Sequence, residues 1–191
     1  MYFEAETGTV AEKIKALHTE KNTVIVGIDG KCASGKTTLA KELSERLCCN
    51  IIHTDDFYLQ SFQRTEKRYA EPGGNLDRER LADEVLVPLS RGKKPLYRPF
   101  ICRTMDFGDE LKLDDRSVYI IEGSYSCHPE LRDFYDITVF VTVDKQVQKS
   151  RILLRNGEEK LKDFLEKWIP LEEKYFEAFE TEKKADVVVR T

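Results

Sequence analysis

The chain of 191 residues contains no run of roughly 18 apolar residues, which excludes a helical membrane span. Its first residues, MYFEAETGTVAEK, lack both the basic start and the apolar stretch of a secretion signal. Positive charge is not in excess: 31 Lys and Arg stand against 35 Asp and Glu, a net charge of −4. A general nucleic-acid binder is usually basic, so neither a nucleic acid nor a membrane is expected as a partner. The five cysteines (Cys32, Cys48, Cys49, Cys102 and Cys127) are odd in number and lack zinc spacing. A reducing cytoplasm is the simplest reading, with Cys48 and Cys49 as small apolar residues at a helix end. Repeats and low-complexity linkers are also missing, so one domain is expected over residues 1–191, and a homo-oligomer stays open.

What is present is an alternation of buried strands and amphipathic helices. Thr9 and Glu12 have capping-box spacing ahead of Val10, Ile14 and Leu17, which predicts an N-terminal helix within residues 1–21. The β-branched run Thr23–Asp29 reads as a buried strand, followed by a helix from Lys36 with Leu39, Leu43 and Leu47 on one stripe. Further core strands are expected at Ile51–His53, Ser117–Ile121, Ile137–Val143 and Val187–Val189. Asp77 caps a helix that Pro88 bends or ends, and Asp144 caps one running through Arg155. Two later helical stripes are interrupted by Pro170, and residues 95–113 suggest a small β excursion. The sum is an α/β fold: a five-stranded parallel sheet covered on both faces, with ligands at the carboxyl ends of its strands.

Gly30-Lys31-Cys32-Ala33-Ser34-Gly35-Lys36-Thr37 matches the P-loop pattern G-x-x-x-x-G-K-[ST] in full, with Thr38 next in line, between a strand and a helix. Such a loop turns backbone N–H groups toward a phosphate, and the following helix points its positive end at the same place. Lys36 would reach the β- and γ-phosphates of ATP and the Thr37 hydroxyl would bind Mg2+. Two acids also follow strands. Asp55 reads either as a general base on an acceptor hydroxyl close to the metal or as a strand-end cap. Glu122, at the end of VYIIEG, suits a metal-side carboxylate. Arg151 and Arg155 share a helix face and would either clamp phosphate oxygens or pair with Glu158 and Glu159. For Tyr58, Asp77, Tyr97 and Arg103, pattern alone favours capping and packing.

Taken together, GIDGKCASGKTTLA, HTDDFYL, GGNLDRERL, KKPLYRPF, VYIIEGSY, SRILLR and EKYFEAFETEKKADVVV resemble the uridine kinase family. The wider group includes phosphoribulokinase, pantothenate kinase and nicotinamide riboside kinase. The segments occur in the family's order over roughly residues 22–191. The resemblance implies a P-loop NTPase three-layer sandwich of the nucleoside/nucleotide kinase type. It also implies ATP as donor, Mg2+ as cofactor and a small-molecule acceptor. Asp55 would be the catalytic base, Asp77 a ligand of ribose hydroxyls, and Tyr58 and Tyr97 the nucleoside pocket, with Arg103 nearby. Arg151 and Arg155 would belong to a lid at about residues 148–162. Pyrimidine nucleoside kinases carry a histidine shortly after the position of Tyr97, and the stretch Arg98 to Arg103 has none.

Overall fold

The computed structural model describes residues 2–191, with side chains from Glu4 onward. Its five parallel strands are β1 (Val24–Gly30), β2 (Asn50–His53), β5 (Val118–Glu122), β6 (Ile137–Thr142) and β7 (Val187–Arg190), in the spatial order β2-β5-β1-β6-β7. Alternation along β1 divides the core in two. Val24, Val26 and Ile28 face the helices α1 (Tyr2–Glu20) and α2 (Lys36–Leu47), meeting Val10, Ile14, Leu39 and Leu43. Ile25 faces the opposite layer, where Phe57, Leu81, Val85, Leu89 and Tyr175 pack. That layer contains α4 (Arg78–Leu81), α5 (Val87–Ser90) and α8 (Ile169–Phe179). The fold is the expected P-loop three-layer sandwich.

Three local expectations change. Thr9 does not cap a helix start; it lies inside α1, its hydroxyl donating to the Ala5 carbonyl at 3.1 Å. The helix begins earlier and covers the edge of the sheet, where Glu6 accepts the Arg190 N–H at 2.8 Å. Neither Pro88 nor Pro170 ends its helix where it stands. Each is preceded by a π turn, Ala82–Leu86 and Phe164–Trp168. In each case the residue before the proline donates to a carbonyl five residues back: Val87 to Ala82 and Ile169 to Phe164. Proline has no N–H to offer and its ring crowds the preceding turn, so one widened turn absorbs the mismatch and the helix continues. The helix after Asp144, α7 (Lys145–Asp163), passes Arg155 and is broken at Gly157, which adopts φ 82° and ψ 172°.

The β excursion is a minimal antiparallel pair, β3 (Phe100–Ile101) with β4 (Asp106–Phe107), extended by a bridge between Tyr97 and Leu111. Short helices α3 (Glu66–Ala70), α6 (Pro129–Arg132) and α9 (Thr181–Lys184) complete the connections.

A buried carboxylate ties the second layer to the sheet. Asp29 is fully buried and accepts hydrogen bonds from the Gly30, Tyr125 and Cys127 amides and from the Tyr175 hydroxyl, at 2.7 to 3.1 Å. Burial pushes its pKa up to about 6, still below neutrality, so at pH 7 an anion faces four donors. Asp29→Asn would turn an NH2 group onto at least one of them. The expected cost is about 3 kcal/mol of folding stability, read by chemical denaturation.

Candidate active site

Strand register brings the chemistry together. Glu122 pairs with His53 on one side and Ile28 on the other, so the carboxyl ends of β2, β5 and β1 lie side by side. The loop after β1 must leave the sheet tightly. Gly30 has φ 139°, and a Cβ there would stand 2.0 Å from the Val141 carbonyl oxygen, so only glycine fits. The loop ends on Gly35 in the left-handed region, at the start of α2, whose first turn has no acidic residue and no side-chain cap. The first N–H groups of α2 therefore remain available to an anion.

Lys36 is buried, and its ammonium donates to the Gly30 and Lys31 carbonyls at 2.8 and 3.0 Å. Thr37 Oγ1 donates to Glu122 Oε1 at 3.2 Å. A hydroxyl and a carboxylate oxygen side by side are hard donors that fit Mg2+ when phosphate oxygens complete the shell. Among the described residues, no group of three or more His, Cys, Asp or Glu side chains forms a metal cage. Glu122 also lies 2.5 Å from His53 Nδ1, and this hydrogen bond raises the pKa of the histidine. Cys32 is no nucleophile: burial pushes its thiol up to about 12, so it stays protonated.

Asp55 and Asp56 part company on the short 3-10 turn Thr54–Asp56. Asp55 is exposed and accepts the Tyr58 hydroxyl at 2.8 Å. Asp56 turns into the layer below and accepts the Tyr97 hydroxyl at 3.2 Å. There Arg80 lies over the Phe57 ring at 4.3 Å and donates to the Asp56 carbonyl.

Lys36, Thr37, Thr38, Asp55, Tyr58, Glu122, Arg151 and Arg155 line one cleft of about 1140 Å³, together with the loop residues Cys32 to Gly35. Asp77, Tyr97 and Arg103 are not among its lining residues. Asp77 is 2 % exposed, caps α4 by accepting the Arg80 N–H at 3.2 Å, and has one oxygen without a hydrogen-bond partner. Tyr97 is 3 % exposed, and Arg103 is exposed on the excursion, from which only Cys102 joins the lining. Arg151 donates to Thr191 Oγ1 at 2.8 Å and to the Ala33 carbonyl at 3.3 Å, whereas Arg155 bonds its neighbour Asn156. Among the described residues, neither arginine pairs with a carboxylate, Glu158 and Glu159 included.

The sequence pattern did not single out several cleft residues: Arg64, Tyr69, Asn75, Tyr125, Trp168 and Glu172. Half of them, Arg64, Asn75 and Tyr125, sit in irregular segments, and Tyr69, Trp168 and Glu172 lie on helices. Glu172 had a faint signal, since it lies three residues before Tyr175 on the buried stripe of its helix and so borders that face.

Comparison with known proteins agrees with this geometry. A family model described as AAA domain matches residues 26–183. A uridine kinase of Clostridium botulinum (strain Langeland) is 31% identical over 151 residues, covering 73% of this chain and 72% of that protein. The chain belongs to the uridine kinase-like family of P-loop kinases. A second uridine kinase, from Clostridium perfringens (strain SM101), is 27% identical over 188 residues and covers 88% of each chain. The solved structure of a possible uridine kinase from Bacillus stearothermophilus superimposes with a TM-score of 0.69, at 26% identity, covering 98% of this chain and 99% of that one. This uridine kinase-like chain contains, among its described residues, no helix long and apolar enough to cross a membrane.

Proposed function

We propose that the protein transfers the γ-phosphoryl group of ATP to a hydroxyl of a small metabolite, with the 5′-hydroxyl of a nucleoside as the first acceptor to test. One observation carries this reading: the amide loop with Lys36 and the carboxylate of Asp55 open into the same cleft, whose remaining wall is rich in aromatic side chains. Tyr58, Tyr69, Tyr125 and Trp168 offer faces on which a planar ring can rest. The acceptor oxygen attacks the γ-phosphorus, the bond to the bridging oxygen of ADP breaks, and the hydroxyl proton passes to Asp55. Lys36 and the loop amides hold the negative charge as it spreads over the phosphoryl oxygens. Thr37 and Glu122 would hold Mg2+, which when bound supplies positive charge at the phosphates. Arg151 and Arg155 approach the same phosphates from the arm formed by α7. Such an enzyme acts in the cytoplasm, where ATP and small metabolites are available.

Tyr58 holds Asp55 in place through its hydroxyl, and burial keeps that phenol protonated well beyond the working pH range. Tyr58→Phe should lower kcat about 10-fold, in keeping with a hydrogen bond to a charged group. Its folding stability should stay within about 0.5 kcal/mol of wild type. Turnover and thermal melting check this together.

A second acceptor class has one specific observation in its favour. Tyr97 is buried against Asp56, and the residues after it carry no histidine to read a pyrimidine. Nicotinamide riboside, pantothenate and sugar phosphates therefore belong beside uridine and cytidine in the test. Purified protein is incubated with ATP, Mg2+ and each compound, and products are read by mass. A product heavier by one phosphoryl group names the acceptor. ATP consumption that no acceptor stimulates would point instead to a regulatory ATPase.

A further inference from the structure

Two buried side chains grip one residue of the phosphate loop from opposite sides. Glu172, on α8, accepts the Cys32 N–H through Oε2 at 2.8 Å. Gln148, on α7, donates from Nε2 to the Cys32 carbonyl at 2.9 Å and lies 3.3 Å from its sulfur. The other oxygen of Glu172 accepts the Ser124 hydroxyl at 2.7 Å, two residues beyond Glu122. Both side chains are almost fully buried, at 4 % exposure for Gln148 and 5 % for Glu172. Among the described residues, Glu172 has no cationic partner within ion-pair distance, so two neutral donors hold a buried charge. Such a placement gains little stability, because desolvating a carboxylate costs several kcal/mol.

The location of the two roots explains what they do. Between Gln148 and Glu172 the chain runs out and back as one helical arm, interrupted at Gly157 and by the π turn Phe164–Trp168. Arg151, Arg155, Lys167 and Trp168, all on this arm, line the cleft. The arm is thus fastened at both ends to one residue of the cradle, through the two peptide groups that flank its Cα. Both anchors lie just before the run of amides from Ala33 to Thr37.

We infer that Gln148 and Glu172 are positioning residues for phosphoryl transfer: together they set the orientation of Cys32, so the cradle takes its reactive shape only when the arm is correctly seated. The inference rests on the reading of the cleft as a phosphoryl-transfer site. Neither residue touches the reacting atoms. Their effect lies in alignment, where displacement of about 1 Å can cost on the order of 100-fold in rate.

The test uses the full chain and its only tryptophan, Trp168, whose fluorescence reports ATP binding directly in the cleft. Glu172→Ala and Gln148→Ala should each lower kcat by about 10- to 100-fold while the Kd for ATP changes only a few-fold. Glu172→Gln should recover most of the rate, because its amide oxygen still accepts from Cys32 and its NH2 can donate to Ser124. The double alanine variant should be little worse than the poorer single one, since both act through Cys32. Gln148→Ala removes no charge and carries the test if Glu172→Ala does not fold. Wild-type kcat in both alanine variants overturns the inference. So do losses that multiply in the double variant, or a Gln variant as poor as the Ala one. If wild-type protein binds no ATP, the transfer-site reading itself falls, which is a distinct result.

Discussion

Lys36→Ala should reduce turnover by about 100- to 1000-fold, the range for removing one preorganised charge partner of a transition state. Neither its position nor its contacts are duplicated by Arg151. The ammonium sits inside the loop, donating to the Gly30 and Lys31 carbonyls, whereas Arg151 is engaged with Ala33 and Thr191. Charge delivered from solvent would be weaker, because Lys36 is only 9 % exposed. The fold should survive, since the lost contacts are two backbone carbonyls at the end of β1, where the cleft can admit water. Acceptor-dependent ADP release gives the rate, and thermal melting confirms that the protein is folded. A variant that is folded and turns over normally contradicts the role of Lys36.

Asp55→Asn should lower kcat by about 100- to 10,000-fold, the usual contribution of a positioned general base. Asparagine keeps the shape and can still accept the Tyr58 hydroxyl, so ATP binding read from Trp168 should stay close to wild type. What disappears is the acceptor for the hydroxyl proton. Asp56→Asn provides the contrast. Its carboxylate faces Tyr97 in the layer below, and burial raises its pKa, so this substitution should act on stability more than on rate. Equal rate losses in the two variants would deny Asp55 its special place.

Much of this arrangement was legible in the sequence because it is local. The loop from Gly30 to Thr37 is defined by spacing, and the runs around Val24, Ile120 and Val139 announce buried strands without help from tertiary contacts. What stayed hidden depends on partners distant in the chain. Glu172 meets Cys32 across 140 positions, and Asp29 meets Tyr175 across 146. Beyond its place beside the buried stripe of α8, nothing in the sequence names the partner of Glu172. Thr9 misled because capping-box spacing also arises inside a helix. Pro88 looked like a bend or an end of its helix and Pro170 like an interruption, since sequence alone does not reveal that a widened turn can absorb them. Asp77 and Tyr97 also depend on partners that the sequence does not name. Their order in the chain matches a family pattern, but Arg80 and Asp56 hold them in the layer beneath the cleft.

The central claim is that a phosphoryl group held by the cradle of Lys36 meets an acceptor hydroxyl facing Asp55 in one shared space. ATP labelled in its γ-phosphate tests this most directly, followed in a single turnover with and without an accepted alcohol. The account predicts that label moves onto the alcohol in wild type, that little reaches water, and that it stays in ATP in Lys36→Ala and Asp55→Asn. Label released as inorganic phosphate at the same rate whether or not the alcohol is present would contradict it.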